Sequence, residues 1–262
     1  MAPDSSNRFP TGREDMIDAV RTAGVCCRSN THLMSDRKTT IAPSLNASPL
    51  LAVDMVIFSV IGGTLKVLLI RIGSGPYDGK WALPGGLVRM DESLDQAAER
   101  VLSEKAGVDD IYLEQLYTFG GVDRDIRGRS ISVAYFALVN SDRCLPATIE
   151  YYSDIAWYDT ARLPKTAFDH TKIVSAGIER LRSKLGYSNI AYGLLPKEFT
   201  LTELQTAYEI ILGHELDKRN FRKKIQDIGL VKESGKVRKS GQSRPARLYS
   251  FTERKPRMVD VL

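Results

Sequence analysis

Apolar and polar positions change period several times along the chain. Residues 1–48 are polar, with a short helical pattern within Arg13–Ala23 and otherwise no sustained period, so they are expected to form an arm. Ala52–Val60 and Leu65–Arg71 are β-rich runs separated by Gly62-Gly63, the signature of a hairpin. A loop at Gly73–Gly79 leads through Trp81-Ala82-Leu83 into Pro84-Gly85-Gly86, a tight turn that exposes its backbone. Good helix formers then follow: Leu94, Gln96, Ala97, Ala98, Leu102 and Glu104. Asp91 is the expected cap of this helix and Gly107 its left-handed stop. Ile111–Phe119 and Ile131–Val139 read as strands joined by a charged loop. His170–Leu185 reads as a helix that turns Ile173, Val174, Gly177, Ile178 and Leu181 to a core. This alternation of strand and helix predicts an α/β (α+β) sandwich over residues 49–185.

Residues 186–195 have the composition of a linker, and a different pattern begins after them. Thr200-Leu201-Thr202-Glu203 is a capping box, opening a helix with Leu201, Leu204, Tyr208, Ile211 and Leu212 on one stripe. After a turn, Asp217 is placed to cap a second helix that Gly229 closes. Phe221, Ile225 and Ile228 point inward on it, while Arg219, Arg222, Lys223 and Gln226 share the opposite face. Leu230–Glu233 and Arg247–Phe251 read as two strands flanking a basic stretch with Lys236, Arg238, Lys239 and Arg244. Apolar anchors behind long donors is what a helix needs to sit in a DNA major groove. The expected second domain is a winged helix-turn-helix over residues 196–255, followed by a tail at 256–262. Its DNA contacts are expected from Thr202, Lys218, Arg219, Asn220, Arg222, Lys223, Gln226, Arg238, Lys239, Arg244 and Arg247.

Charge sharpens this division. The net charge is +5, yet residues 196–262 carry 15 Lys/Arg against 9 Asp/Glu, so the excess belongs to the last quarter and points to a polyanion. No apolar run is long enough for a membrane helix, and the N-terminus has no apolar signal region. Cys26, Cys27 and Cys144 lack metal-ligand spacing, and an odd count fits free thiols in a reducing cytoplasm. A cytoplasmic, nucleoid-associated protein is expected.

Gly86, Glu92, Arg100, Leu102, Glu104, Gly107 and Val108 fall on one further pattern. The segment resembles the Nudix box: Gly, five residues, Glu, seven residues, then Arg-Glu-apolar-x-Glu-Glu-x-Gly-apolar. The resemblance implies a Nudix fold, and in active Nudix hydrolases these glutamates hold a divalent cation against a diphosphate. Two of them are replaced here, by Val101 and Lys105. Positions 101, 104 and 105 share a helix face, which with Val, Glu and Lys has no net charge to attract a hard cation. The expectation is a Nudix fold without hydrolase activity, with no metal and no required cofactor. Val101 also fits a plainer role, widening the apolar face, and Lys105 that of a solvated surface residue.

The charged loop, Asp123-Arg124-Asp125-Ile126-Arg127-Gly128-Arg129, resembles an Arg-Asp-Pro-Arg-Gly-Arg run of Nudix proteins that handle ADP-ribose, with Ile126 in the proline position, which is expected to loosen the loop but keep its cations. As a bare pattern, Arg124 reads as a solvated loop residue. Phe168-Asp169-His170 is a second echo, read as a helix cap and packing motif. The C-terminal runs Phe199–Gln205, Leu216–Arg222 and Arg244–Tyr249 resemble the DNA-binding domain of the Nudix-related regulators of NAD metabolism called NrtR. That resemblance covers about residues 49–255. It implies a homodimeric repressor of NAD biosynthesis or salvage genes that binds a palindromic operator on double-stranded DNA, with ADP-ribose or a related nucleotide as effector. The effector cleft it implies contains Arg71, Leu83, Pro84, Gly85, Gly86, Glu104, Lys105, Arg127 and Arg129. Two other readings stay open: a Nudix hydrolase with residual activity and an accessory DNA-binding domain, and an RNA-binding module. The outer helix face lacks the stacking aromatics the latter needs.

Overall fold

The first domain is built on one strand that changes partner halfway along. In the computed structural model, which describes residues 48–106, 111–140, 152–239 and 245–262, β1 (Leu50–Ile61) pairs through Phe58–Ile61 with β2 (Thr64–Ile72). Its first half, Ala52–Asp54, pairs instead with β4 (Gly85–Leu87). Between these, Met55 N–H donates to Pro84 carbonyl oxygen at 2.8 Å. The short β3 (Trp81–Ala82) stays with β2. The loop between β3 and β4 therefore bridges a split, and a cavity opens there.

On its other side β1 runs parallel to β6 (Ser130–Leu138), which pairs antiparallel with β5 (Tyr112–Phe119). A further strand, β7 (Tyr152–Asp159), lies antiparallel to β2. Sequence periodicity missed β7, because Ser153 and Asp154 interrupt the alternation of Ile155 and Trp157.

Successive side chains on β1 serve two cores, as a strand buried on both faces requires. Val53, Met55 and Ile57 pack with Ala97, Ala98 and Val101 of α1 (Leu94–Ala106). Val56 and Phe58 pack with Ile173, Val174 and Leu181 of α2 (His170–Tyr187). Gly177 permits the close approach of α2, since a Cβ there would lie 3.2 Å from the Phe58 ring. Asp91 does not cap α1. Ser93 Oγ accepts from Gln96 N–H at 3.2 Å and Gln96 Oε1 accepts from Ser93 N–H at 2.8 Å, a capping box two residues after the expected cap. Gly107, the arm at 1–47 and all three cysteines lie outside the described residues.

The second domain is a winged helix-turn-helix: α3 (Leu201–Leu212), α4 (Lys218–Asp227), and the wing strands β8 (Val231–Arg238) and β9 (Ala246–Phe251). Both expected caps form. Thr200 and Glu203 make the capping box, and Asp217 accepts from Asn220 N–H at 2.7 Å. Gly213, at φ 79°, closes α3 in the left-handed region.

Residues 186–195 are packed rather than loose. Ile190–Gly193 form a 3₁₀ turn, and Ile190, Ala191, Tyr192, Leu194 and Leu195 are buried in the same apolar cluster as Phe58 of the sheet and Tyr208 and Phe221 of the winged helix. The tail returns to this junction and buries Val261. One continuous core across both domains should unfold as a unit. Calorimetry of residues 46–262 is expected to give a single transition with equal calorimetric and van't Hoff enthalpies, and two resolved transitions would contradict it.

Candidate functional site

The cavity beneath the β1 split measures about 330 Å³ and is lined by Asp54, Leu83, Gly85, Gly86, Arg124, Asp125, Arg127, Ser130, Tyr152, Phe168 and His170, among others. Its floor is a buried polar cluster. The Arg124 guanidinium, 4% exposed, sits 3.2 Å from Asp54 and 2.9 Å from Asp169, and donates to Ser130 Oγ at 3.2 Å. Asp54 Oδ2 also accepts from Ser132 Oγ at 2.5 Å. His170 Nδ1 accepts the Leu83 N–H at 2.8 Å, which places the ring proton on Nε2, facing Asp54 Oδ2 at 3.4 Å. Burial alone would raise the Asp54 pKa; His170, Ser132 and Arg124 outweigh it and hold the carboxyl below its ordinary value. Gly85 is required here because a Cβ would fall 2.3 Å from Asp54 Oδ1 and 2.8 Å from the Val53 carbonyl oxygen.

The mouth carries a second charge on an aromatic shelf. Asp125 accepts from the Arg127 backbone N–H and from its guanidinium, at 2.9 Å from Nη2. That holds Arg127 5.1 Å from the Phe168 ring centre and 5.7 Å from Tyr77. Phe168 has φ 52°, a left-handed conformation that costs a bulky residue about 1–3 kcal/mol and that turns its ring between Tyr77 and His170. Ile126 in the proline position tightens the loop, because its N–H donates to Tyr77 Oη at 3.0 Å and proline has no N–H.

Several expectations need correction. Arg124 is the buried centre of the site, not a solvated loop residue. Asp169 does not cap α2 with its side chain; it pairs with Arg124, and His170 has a buried partner in Asp54. Arg129 turns to the Gly121 and Ser130 carbonyls of its own loop, Arg71 donates to the Gly79 carbonyl, and neither lines the cavity. Pro84 is buried beside the cavity and does not line it either. No local pattern marks Asp54 or Ser132, whose role comes from β1 and β6 lying side by side.

On the Nudix-box helix, Val101 is fully buried in the apolar cluster. Glu92 is clamped by Arg100 at 2.7 Å, and Glu104 lies 3.7 Å from Arg89 and 3.5 Å from Arg100. Glu104 does not line the cavity, and the Lys105 side chain lies outside the described residues. A divalent cation does not fit this arrangement: one ligand position is an apolar core residue, and the Glu104 carboxylate already faces two guanidinium groups.

In the second domain, α4 buries Phe221 and Ile225 and exposes Lys218, Arg219, Asn220, Lys223 and Gln226. Arg222 departs from this face: half-buried, it donates to Thr202 Oγ1 at 2.8 Å and braces α3 against α4. The wing cations are tied to carboxylates, Lys236 to Glu198 at 2.9 Å, Arg238 to Glu203 at 2.6 Å and Arg247 to Glu233 at 3.0 Å. Lys239 is exposed and Arg244 lies outside the described residues. A row of exposed donors on a helix anchored from behind is suited to the edge of a nucleic-acid groove.

Residues 50–176 match the NUDIX domain, and residues 191–251 match the NrtR DNA-binding winged helix domain. The chain is 43% identical over 208 residues to the "ADPR responsive transcriptional repressor NtrR" of Acinetobacter baylyi, covering 78% of this chain and 82% of that one. The chain belongs to the NrtR family. Its fold is that of NrtR from Shewanella oneidensis, solved in complex with a 27mer DNA: TM-score 0.70 and 38% identity, over 77% of this chain and 93% of that chain. The first domain alone is also 32% identical, over 126 residues, to an ADP-ribose pyrophosphatase of Methanocaldococcus jannaschii, covering 48% of this chain and 71% of that enzyme.

Arg124→Ala strands Asp54 and Asp169 without their buried counter-charge and should cost about 3–5 kcal/mol in denaturant unfolding. Arg129→Ala, which removes an exposed side chain's hydrogen bonds to two loop carbonyls, should stay within about 0.5 kcal/mol of the parent; equal losses would contradict the assignment. The hydrogen bonds from Arg100 lower the Glu92 pKa from 4.5 to about 2. Since the folded value is the depressed one, this clip stabilises the fold above about pH 4.5 and is lost as pH falls towards 2. A carboxyl NMR titration of Glu92 should therefore have its midpoint near 2, and a midpoint near 4.5 would show the clip is not formed.

Proposed function

We propose that this NrtR-family chain is an ADP-ribose-responsive transcriptional repressor, with the Nudix domain as sensor and the winged helix as DNA reader. The observation that carries this is the 43% identity to the Acinetobacter repressor, which spans both domains. The cavity supports the assignment chemically. Arg127 is held at the mouth with its guanidinium toward solvent, suited to pairing a diphosphate, and Leu83, Gly85 and Gly86 offer a close-approach backbone wall. Arg124 fixes the floor rather than acting as a free clamp.

The protein reads the nucleotide without consuming it, in keeping with the Val101 and Glu104 environments. The similarity to an ADP-ribose pyrophosphatase favours a second reading, residual hydrolysis, but the lost ligand position stands against it. As a homodimer in the cytoplasm, the protein would set two α4 helices on a palindromic operator, about 34 Å or a multiple apart. NAD biosynthesis or salvage genes are the proposed targets. Arg219, Lys223 and Gln226 are the base-reading candidates, with Lys218, Asn220 and Lys239 on the phosphates.

The test is operator affinity at fixed salt, with and without saturating ADP-ribose. A fall of about 5–150-fold is expected, the usual range of allosteric coupling. Binding of ADP-ribose by calorimetry with no change in operator affinity would refute the sensor role. In the same assay, Arg219→Ala should cost about 1–3 kcal/mol and relax specificity at one base position. Lys239→Ala should weaken all sequences alike and reduce the salt slope by about 1.

A further inference from the structure

The α2 helix reaches from the cavity to the winged helix, and the last residues of the chain fasten it there. Its N-terminus holds Asp169 and His170 in the polar cluster. Its 18 residues span about 27 Å at 1.5 Å per residue. Along that length it is locked to the sheet, by Gly177 against Phe58 and by Arg180 and Lys184 on Glu114 of β5. Near its C-terminus, Arg182 Nε donates to the Ile211 carbonyl of α3 at 2.8 Å.

Just beyond α2, the buried Asn189 receives the chain as it returns from the wing. Its Nδ2 donates to the Glu253 carbonyl at 3.1 Å and the Lys255 carbonyl at 2.9 Å. Its Oδ1 accepts the Arg257 N–H at 2.8 Å, and its own N–H donates to the Arg257 carbonyl at 3.2 Å. Val259 and Val261 N–H groups then donate to the carbonyls of Tyr187 and Gly186, and the Val261 side chain is buried. From this strap Asp260 reaches Lys224 on α4 at 2.8 Å.

The winged helix is thus attached to α2 on two sides, through Arg182 and the chain leading into α3, and through the strap that comes back from β9. A body held at one point swivels; a body held at two must follow the part it is attached to. The Asn189 side chain has every polar atom engaged, so the strap cannot slide along α2 without leaving buried polar groups unsatisfied.

We propose that the C-terminal strap, residues 252–262 pinned by Asn189, is the positioning element through which occupancy of the Arg124–His170 cavity sets the placement of α4. It rests on the sensor reading above and names the parts that carry its coupling. Nucleotide bound against Phe168 and His170 acts on the N-terminus of α2; α2 shifts as one rod together with the strands it is locked to, and the strap carries the winged helix with it.

The test uses the full chain with Asn189→Ala, and separately with Asp260→Lys at a side chain that is 80% exposed. Operator affinity is measured with and without ADP-ribose at fixed salt, and ADP-ribose affinity by calorimetry. Both variants should bind ADP-ribose like the parent and bind operator alone within about threefold. Asn189→Ala should lose the nucleotide response, from about 5–150-fold in the parent to under about twofold. Asp260→Lys, which replaces the link to α4 with a like-charge contact to Lys224, should show a reduced response. A full response in Asn189→Ala overturns the proposal, as does one in Asp260→Lys if Asn189→Ala does not fold. Loss of operator binding without nucleotide also overturns it, since the strap would then only hold the DNA-binding domain together. A parent chain that does not respond to ADP-ribose defeats the sensor reading itself, and the strap's role with it.

Discussion

The Arg124 guanidinium between Asp54 and Asp169 is the contact on which the first domain depends. It joins three pieces of chain far apart in sequence: β1, the loop before β6, and the start of α2. Burying charges costs several kcal/mol per ion, and the cost is recovered only where each charge is paired and hydrogen-bonded. Here Ser130, Ser132 and His170 complete the set. A cluster so fully satisfied tolerates one geometry, which makes its surroundings a precise wall for a ligand. The strained Phe168 is held by the same residues, stacked on His170 and beneath Arg127.

Much of the architecture was legible in the sequence because it is written in local rules. Capping at Thr200–Glu203 and Asp217 and the apolar stripes of α2, α3 and α4 all depend on residues within a few positions of one another. The site was legible only in outline. Leu83, Gly85, Gly86 and Arg127 were named through motif resemblance and line the cavity. Asp54, in a strand that otherwise reads as continuous apolar sequence, was not. Its partners come from β6 and α2, and no spacing in one dimension reports that convergence. Arg124 was read as solvated for the same reason, since loop arginines look alike until the fold turns one inward. Residues 186–195 read as a linker because Gly, Ser and Asn dominate the eye, yet Ile190, Leu194 and Leu195 carry the packing.

The Nudix-box helix shows what is given up and what is kept. Arg100 and Glu92 still clip the loop that shapes Gly86, so the fold of the box survives. Val101 has turned a ligand position into core, and Glu104 has arginine partners where a cation would stand. On the proposed reading a regulator gains from this, because a signal that destroyed its own effector would fade as it was read.

On the proposed reading the nucleotide is read and not consumed. The most direct measurement follows operator occupancy and nucleotide integrity together, in one sample of protein, operator, Mg²⁺ and limiting ADP-ribose. Sustained release of operator with the nucleotide intact is the predicted result. Release that reverses as AMP accumulates would contradict the account and identify the domain as a working hydrolase.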